Sequence, residues 1–417
     1  SFSGVISDGA GTMALTKLGS GTQILAGQNT YSGATLISAG VLKLGVADAL
    51  PSGSGKSDVT IRGDQTGVVT GVVNSGSSYV LAPGTLDMGG FAQSVNGLIS
   101  STGGYVTNTP KLTWNTGSST WSASASTNDF TVGKNDATAS FDGIIQDGYT
   151  VVPGAITTGF VGTINFVKVG TGAQTLKGVN TYGGATAVQN GTLVLDGGAN
   201  RLPTGTFLTL GSGSTSGVLK LGAGNGAVSQ QVARLDLSGT GTSNKIVGGD
   251  AAVSTFVLNQ SATTSFAGGL GGTGANENKL AFTLQGGGKL TLSGTNSLTG
   301  ATTVKGGSTL VLGSGLTSSA LTVGGASAGT VVSNKTLGGL VTLGAGGNLV
   351  VGEAVASDLG TMTLSGGLTM SAGSLISLQV GATQDVLRVS NGTLTINGGS
   401  LSLSEYGTLT VGTYDLI

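Results

Sequence analysis

"GQNTYSGATLISAGVLKL", residues 27–44, returns as "GVNTYGGATAVQNGTLVL" at 178–195 and, more loosely, as "GTNSLTGATTVKGGSTLVL" at 294–312. One line spelled three times marks a chain built by repetition. The first two copies align without gaps over 15–44 and 166–195, a shift of 151 residues. Lys17 then meets Lys168, Gly19 meets Gly170, Gly21 meets Gly172, Asn29 meets Asn180, Tyr31 meets Tyr182 and Gly40 meets Gly191. The third copy keeps Gly286, Gly288, Asn296, Gly300 and Thr302, replaces the Tyr by Leu298, and inserts one residue before Leu310.

Each copy ends in a strand pattern. In "GVLKLG" (40–45) Leu42 and Leu44 share one face and Lys43 takes the other, the period-two alternation of a half-buried strand. "GTLVLDG" (191–197) and "STLVLG" (308–313) repeat it, and "KLTLSG", "LTMSAGSLISLQV", "GTLTINGGSLSLS" and "GTLTVGTYDLI" continue it to the C-terminus. Gly or Asn stands at the joints, where a tight bend or a positive φ is expected. Of the 417 residues 80 are Gly and 8% are charged. Gly, Thr, Ser and Val are poor helix formers, so the chain reads as all-β. A mean hydropathy of +0.29 separates it from disordered Gly/Ser tracts, which are apolar-poor.

Many short strands suit either a sandwich or a stack of coils. A sandwich needs longer strands paired over long range. A parallel β-solenoid needs only that each coil of about 20 residues sit on the last. The drifting repeats favour the solenoid, and some 20 coils at about 4.8 Å each would make a rod of roughly 100 Å. Flanking phrases recur in the same order: "FSGVISDG" (2–9) as "FDGIIQDG" (141–148) and weakly as "FAGGLGGTG" (266–274), and "LPSG" (50–53) as "LPTG" (202–205). Three imperfect modules are expected within one continuous solenoid, at 1–138, 139–263 and 264–417. The second carries an inserted loop near 149–160, since Phe141 to Phe166 spans 25 positions where Phe2 to Leu15 spans 13.

Composition also limits the chemistry. A net charge of −1 offers nothing to nucleic acid or to an anionic membrane. No run of about 20 apolar residues is present to form a spanning helix. The chain starts at Ser1, without Met or a signal-like segment, and is expected to be a processed or trimmed piece of something longer. With no Cys it has no disulfide or thiol chemistry, which suits export through an oxidising periplasm. With no His, most acid–base and zinc chemistry is closed. "PSGSGKS" (51–57) ends like a phosphate-binding loop, but Leu50 stands where that motif needs Gly. The carboxylates, 15 Asp and three Glu among 18 acidic residues, are scattered; Asp8, Asp142 and Asp147 sit in Asp-Gly phrases that read as turns. No catalytic residue, cofactor or metal site is expected.

At this point the wording becomes familiar. "KLGSGTQILAGQNTYSGATLISAGVLKL" (17–44) and "KVGTGAQTLKGVNTYGGATAVQNGTLVL" (168–195) resemble the passenger-associated transport repeat of bacterial autotransporters. "LDMGGFAQSVNGLIS" (86–100) is similar to phrases found beside that repeat, and 375–403 is similar to the region before the translocating barrel. The resemblance implies a right-handed parallel β-helix exported through the outer membrane of a Gram-negative bacterium, with a repeat tied to secretion and folding rather than catalysis. It also implies an outer-membrane barrel that this sequence does not contain. No protease or lipase motif accompanies the repeats.

The expected function is therefore a secreted, surface-exposed, non-enzymatic β-solenoid: a stalk, an adhesive fibre or a head-to-tail filament subunit. The alternative is a β-helix that binds or cleaves glycans, with a host or matrix glycan or protein as partner. Candidate contacts are Tyr105, Trp114, Trp121 and Tyr149, since insertions in solenoids often form the binding face and aromatics stack on sugars. The plainer reading has these aromatics plugging the core beneath a widened coil. Self-association end to end would use Phe2, Val5 and Ile6 at one terminus and Tyr414, Leu416 and Ile417 at the other, because a solenoid end without a cap exposes unpaired backbone.

Overall fold

A computed structural model describes residues 1–63, 83–117, 120–123, 126–151, 159–352, 359–381 and 384–406. Among the described residues there is no α-helix, and one 3-10 turn at Lys134–Asp136 interrupts a succession of short strands. The alternation read from "VLKL" holds: Leu42 and Leu44 are buried while Lys43 is half-buried. Leu193, Leu195, Leu310 and Leu312 take the same buried positions in the other copies.

The spacing of those strands sets their partners. Leu15 lies opposite Thr35 and Thr22 opposite Val41, parallel and about one coil apart. Phe166 opposite Thr186 and Ala173 opposite Thr192 repeat the arrangement. Each repeat is thus two consecutive coils paired with each other, with the Asn-Thr-Tyr phrase in the loop between them. In the third copy Lys289 lies opposite Thr309, one residue later than the pattern of the first two. The extra residue falls in the turn between Thr302–Val304 and Ser308–Leu312, where Gly306 and Gly307 both take positive φ.

The chain forms two compact units, residues 1–206 and 207–417. The first has three parallel ladders. One runs through Leu15–Lys17, Thr35–Ile37, Val59–Ile61 and Leu98–Ile99, and a bridge from Ser100 to Phe141 links it to Ala139–Phe141, Ala173–Leu176 and Gly191–Leu195. A second stacks Thr22–Leu25, Val41–Leu44, Thr85–Asp87, Tyr105–Thr107 and Ile144–Ile145. The third stacks Gln93–Ser94, Ser126–Val132, Gly159–Lys168 and Thr186–Val188. The first repeat begins on the first ladder and the second on the third, so the motif is rotated by one face between copies.

In the second unit an eight-stranded ladder runs from Ser229–Val232 to Leu394–Asn397 and a seven-stranded one from Thr263–Phe266 to Ser400–Tyr406. Thr283, Thr303, Thr322, Thr342, Thr369 and Thr395 lie one above the next along the eight-stranded ladder. Their half-buried hydroxyls face outward while Leu284, Val304, Val323 and Leu343 face in. Each unit has an aliphatic core with stacked rings where space allows, Phe166 on Tyr182 in the first and Phe256 on Phe282 in the second, each pair 6.2 Å between centroids. Each buried Leu contributes about 1.5–3 kcal/mol, so the stack draws its stability from repetition.

The expected parallel solenoid is what these ladders are. Among the described residues two strand pairs are antiparallel, and both are excursions from the coil: Leu112–Asn115 with Thr120–Ala123, and Gly148–Val151 with Gly159–Lys168. The segment "GTLTVGTYDLI" (407–417), with Tyr414, Leu416 and Ile417, lies outside the described residues.

Candidate functional site

The signature residues of the repeat converge on the backbone. Asn180, 2% exposed, accepts the Ile145 amide at 2.8 Å from the coil before, and donates to Arg201 O at 2.7 Å on the coil after and to Gly178 O at 3.2 Å. Asn29 makes the same three contacts, with Ile6 N, Ala49 O and Gly27 O. Tyr182 lies in the core and shares a 2.6 Å hydrogen bond with Thr186, as Tyr31 does with Thr35. Burial raises both phenols above their ordinary pKa, so they stay neutral. In the third copy Leu298 fills the Tyr position and is buried, while Asn296 donates to Ser314 Oγ at 3.0 Å.

The lysine that leads the repeat is also internal. The Lys168 ammonium is fully buried and donates to Val169 O at 2.5 Å, Gly170 O at 2.8 Å and Asn190 O at 3.2 Å. Lys17 does the same with Leu18 O, Gly19 O and Ala39 O. Burial pushes Lys168 down to about 8 from 10.5, opposed by the nearby Asp136 carboxylate. Between these values the unfolded chain holds the extra proton, so stability should rise with pH from about 8 to 10.5. Urea midpoints taken across that window are expected to climb in the native chain and to climb less in Lys168→Met. A midpoint that falls with pH in the native chain contradicts this account of Lys168.

The carboxylates of the Asp-Gly phrases are occupied in the same way. Asp147 accepts the Ile164 amide at 2.9 Å and the Gly183 amide at 3.0 Å, and Asp8 accepts the equivalent Met13 and Ser32 amides. Hydrogen bonds from Ser32 and Met13 hold Asp8 below the usual carboxylate range. Asp142 lies 3.6 Å from Lys177. Among the described residues no group of three or more acidic side chains is placed to hold a metal ion.

The second feature is the pair of excursions. The first leaves the coil after Tyr105–Thr107 and rejoins it at Ser126–Val132; the second leaves after Ile144–Ile145 and rejoins along Gly159–Lys168. Their flanking strands pair directly, Ile144 with Tyr105 and Asn128 with Ile164, so the two hairpins leave the same corner on successive coils. Asn108, fully buried, fixes their base: it donates to Asn128 Oδ1 and Thr163 O, both at 3.1 Å, and accepts Gly90 N at 2.9 Å. Gly148 and Gly162 lie opposite each other against the Asn108 backbone. A Cβ on Gly162 would come within 1.8 Å of Asn108 O, so only Gly fits at this root.

The structure places the sequence candidates unevenly. Tyr149, 61% exposed, pairs with Val161, 42% exposed, on the second hairpin. This exposure overturns the core-plug reading for Tyr149, because the inserted residues pair with each other instead of widening the coil. Trp114 and Trp121 are backbone partners across the first hairpin, and their side chains lie outside the described residues. Tyr105 is half-buried on the neighbouring coil. Phe2 and Val5 are exposed, and Ile6 is tied by Asn29. Sequence reasoning missed Asn108 and Gln174, which is buried and reaches Leu98 through both its amide atoms. For Gln174 a signal existed, since Gln23 stands at the same repeat position.

Comparison with known proteins gives two findings. The family model described as Passenger-associated-transport-repeat matches residues 15–44, 166–195 and 282–315. The chain is also 30% identical over 304 residues to the adhesin BmaC autotransporter of Brucella suis biovar 1 (strain 1330). That alignment covers 72% of this chain and 7% of the Brucella protein.

Proposed function

We infer, from the premise that this chain is an autotransporter passenger segment carrying passenger-associated transport repeats, that it is a non-enzymatic surface solenoid whose repeats clamp coils together and whose paired hairpins make adhesive contact. A passenger of this kind resides outside a Gram-negative cell or on its surface. The repeat residues are committed to structure: Lys168, Asn180, Tyr182 and Asp147 all hold neighbouring backbone or side chains. Those four side chains are thereby engaged as structure.

The observation that carries the adhesive reading is the rooting of two hairpins on one buried residue, Asn108, at one corner of successive coils. Such a root fixes the place where both hairpins leave the coil. Tyr149 and Val161 put an apolar pair on the second hairpin, and aromatic anchors of this kind dominate binding energy at interfaces. The Brucella relative is named an adhesin, which supports the same reading.

The test is binding of the purified chain to immobilised matrix proteins and glycans. Tyr149→Ala combined with Val161→Ser should leave the circular dichroism and thermal midpoint unchanged, because both side chains are exposed. It should weaken surface binding by about tenfold or more. Unchanged binding removes the hairpin from the account, and release of oligosaccharides from a polysaccharide substrate contradicts the non-enzymatic reading.

A further inference from the structure

One cluster in the second unit takes no part in the core or in the hairpins. Phe207–Leu210 and Arg234–Leu237 pair in parallel, with Phe207 opposite Arg234, Leu208 opposite Leu235 and Thr209 opposite Asp236. Leu208 and Leu235 are buried, so the alternation turns Phe207, Thr209, Arg234 and Asp236 outward as a block of four. Strands lie about 4.8 Å apart, and residues two apart on a strand are separated by about 6.6 Å, so the block is about as large as one sugar ring.

The block is an assembly and not four separate side chains. The Arg234 guanidinium lies over the Phe207 ring, its central carbon 5.9 Å from the ring centroid, and its Nε lies 2.6 Å from Asp236 Oδ2. Ring and carboxylate together hold the guanidinium in one place. Phe207 is nonetheless 52% exposed. Among the described residues no hydrogen bond engages the terminal nitrogens of Arg234, Oδ1 of Asp236 or the Thr209 hydroxyl. Forked donors, a carboxylate acceptor and a hydroxyl thus stand beside an open ring.

The packing does not call for such a cluster. Phe130, Phe141, Phe166, Phe256, Phe266 and Phe282 are fully buried, while the core beside Phe207 is filled by Leu208 and Leu210. The outward column of the eight-stranded ladder carries Thr283, Thr303, Thr322 and Thr342, with neither ring nor charge. Exposed ion pairs add little to stability.

We propose that Phe207, Thr209, Arg234 and Asp236 bind one uncharged pyranose unit of a glycan. Its C–H face rests on Phe207, and neighbouring hydroxyls donate to Asp236 and accept from Arg234. The balance of charge selects the ligand. Asp236 offsets the Arg234 charge, so a phosphate, sulfate or uronate gains little from the guanidinium and meets the carboxylate. A peptide anchor needs an apolar pocket, and this block offers one ring among three polar groups. The site goes beyond the hairpin reading and shares no residue with it.

The test is saturation-transfer NMR of the full chain with maltose, cellobiose, lactose, mannobiose and diacetylchitobiose, set against sulfated and uronate-containing disaccharides of heparin. At least one neutral disaccharide should bind saturably, with transfer to its ring protons. Phe207→Ala should weaken that binding about tenfold or more with an unchanged circular dichroism spectrum, and Phe207→Tyr should retain it. Asp236→Asn, which keeps the shape of the side chain, should also weaken it about tenfold, and it decides the matter if Phe207→Ala does not fold. Tyr149→Ala with Val161→Ser should leave sugar binding unchanged, whatever that variant does to surface adhesion. The proposal fails if no neutral disaccharide binds, if the heparin disaccharides alone bind, or if folded Phe207→Ala and Asp236→Asn bind as the native chain does. Loss of sugar binding in the hairpin variant also overturns it, by assigning the signal to the hairpin.

Discussion

Asn180→Ala is expected to destabilise the first unit by about 3 kcal/mol or more, and to do so far more than the same change at Asn296. Removing Asn180 strands the buried Ile145 amide and takes the side-chain donor from the half-buried carbonyls of Gly178 and Arg201, the latter keeping only the backbone amide of residue 180 at 3.3 Å. Each buried backbone group left without a partner costs about 1–3 kcal/mol. The contacts reach coils on both sides, so the loss loosens two interfaces at once. Among the described residues Asn296 makes one side-chain bond, to Ser314 Oγ, and Asn296→Ala should cost only about 1 kcal/mol. Denaturant unfolding of both variants measures the contrast. Equal losses at the two sites would mean that the asparagine is not a clamp.

Gly172→Val and Gly21→Val, at matching positions in their repeats, should behave as opposites. A side chain at residue 172 meets Asp136 O at 2.2 Å and Ala137 O at 2.4 Å, both backbone atoms that cannot yield without opening the coil. Overpacking of this kind costs roughly 3 kcal/mol or more where the neighbours cannot move. Gly172→Val should therefore unfold at clearly lower denaturant, whereas Gly21→Val should match the native chain within about 0.5 kcal/mol. A comparable loss in both variants would show that contact with Asp136 O and Ala137 O is not what separates the two positions.

The physics of these sites explains which features the sequence disclosed. The alternation at Leu42, Lys43 and Leu44 is local, and it fixed both the strand and its inner face. The repeat spacing then set the coil, because partners such as Leu15 and Thr35 stand about one period apart. Lys17 and Lys168 were not legible as internal residues, since lysine is rarely buried. Their burial depends on three carbonyls that gather only when the coil closes. Likewise the length of the insertion near 149–160 was visible, while its antiparallel return along Gly159–Lys168 was not. That return is dictated by Gly148, Gly162 and Asn108, whose meeting no local pattern announces. Asp8 and Asp147, read as turn residues in their Asp-Gly phrases, instead accept amides as far as 24 and 36 residues away, because the next coil brings those amides over them.

The central claim is that consecutive coils of one period lie directly upon one another, and the outward threonine ladder of the second unit measures it. Thr283, Thr342, Thr369 and Thr395 can be replaced by cysteine in a chain that has none, and spin-labelled in pairs. Measured from Thr283, they lie three, four and five ladder steps away. At about 4.8 Å per step the expected backbone separations are about 14, 19 and 24 Å, rising evenly with coil number. Separations that do not grow in equal steps, or that shorten as the sequence distance lengthens, would contradict the stacked coil.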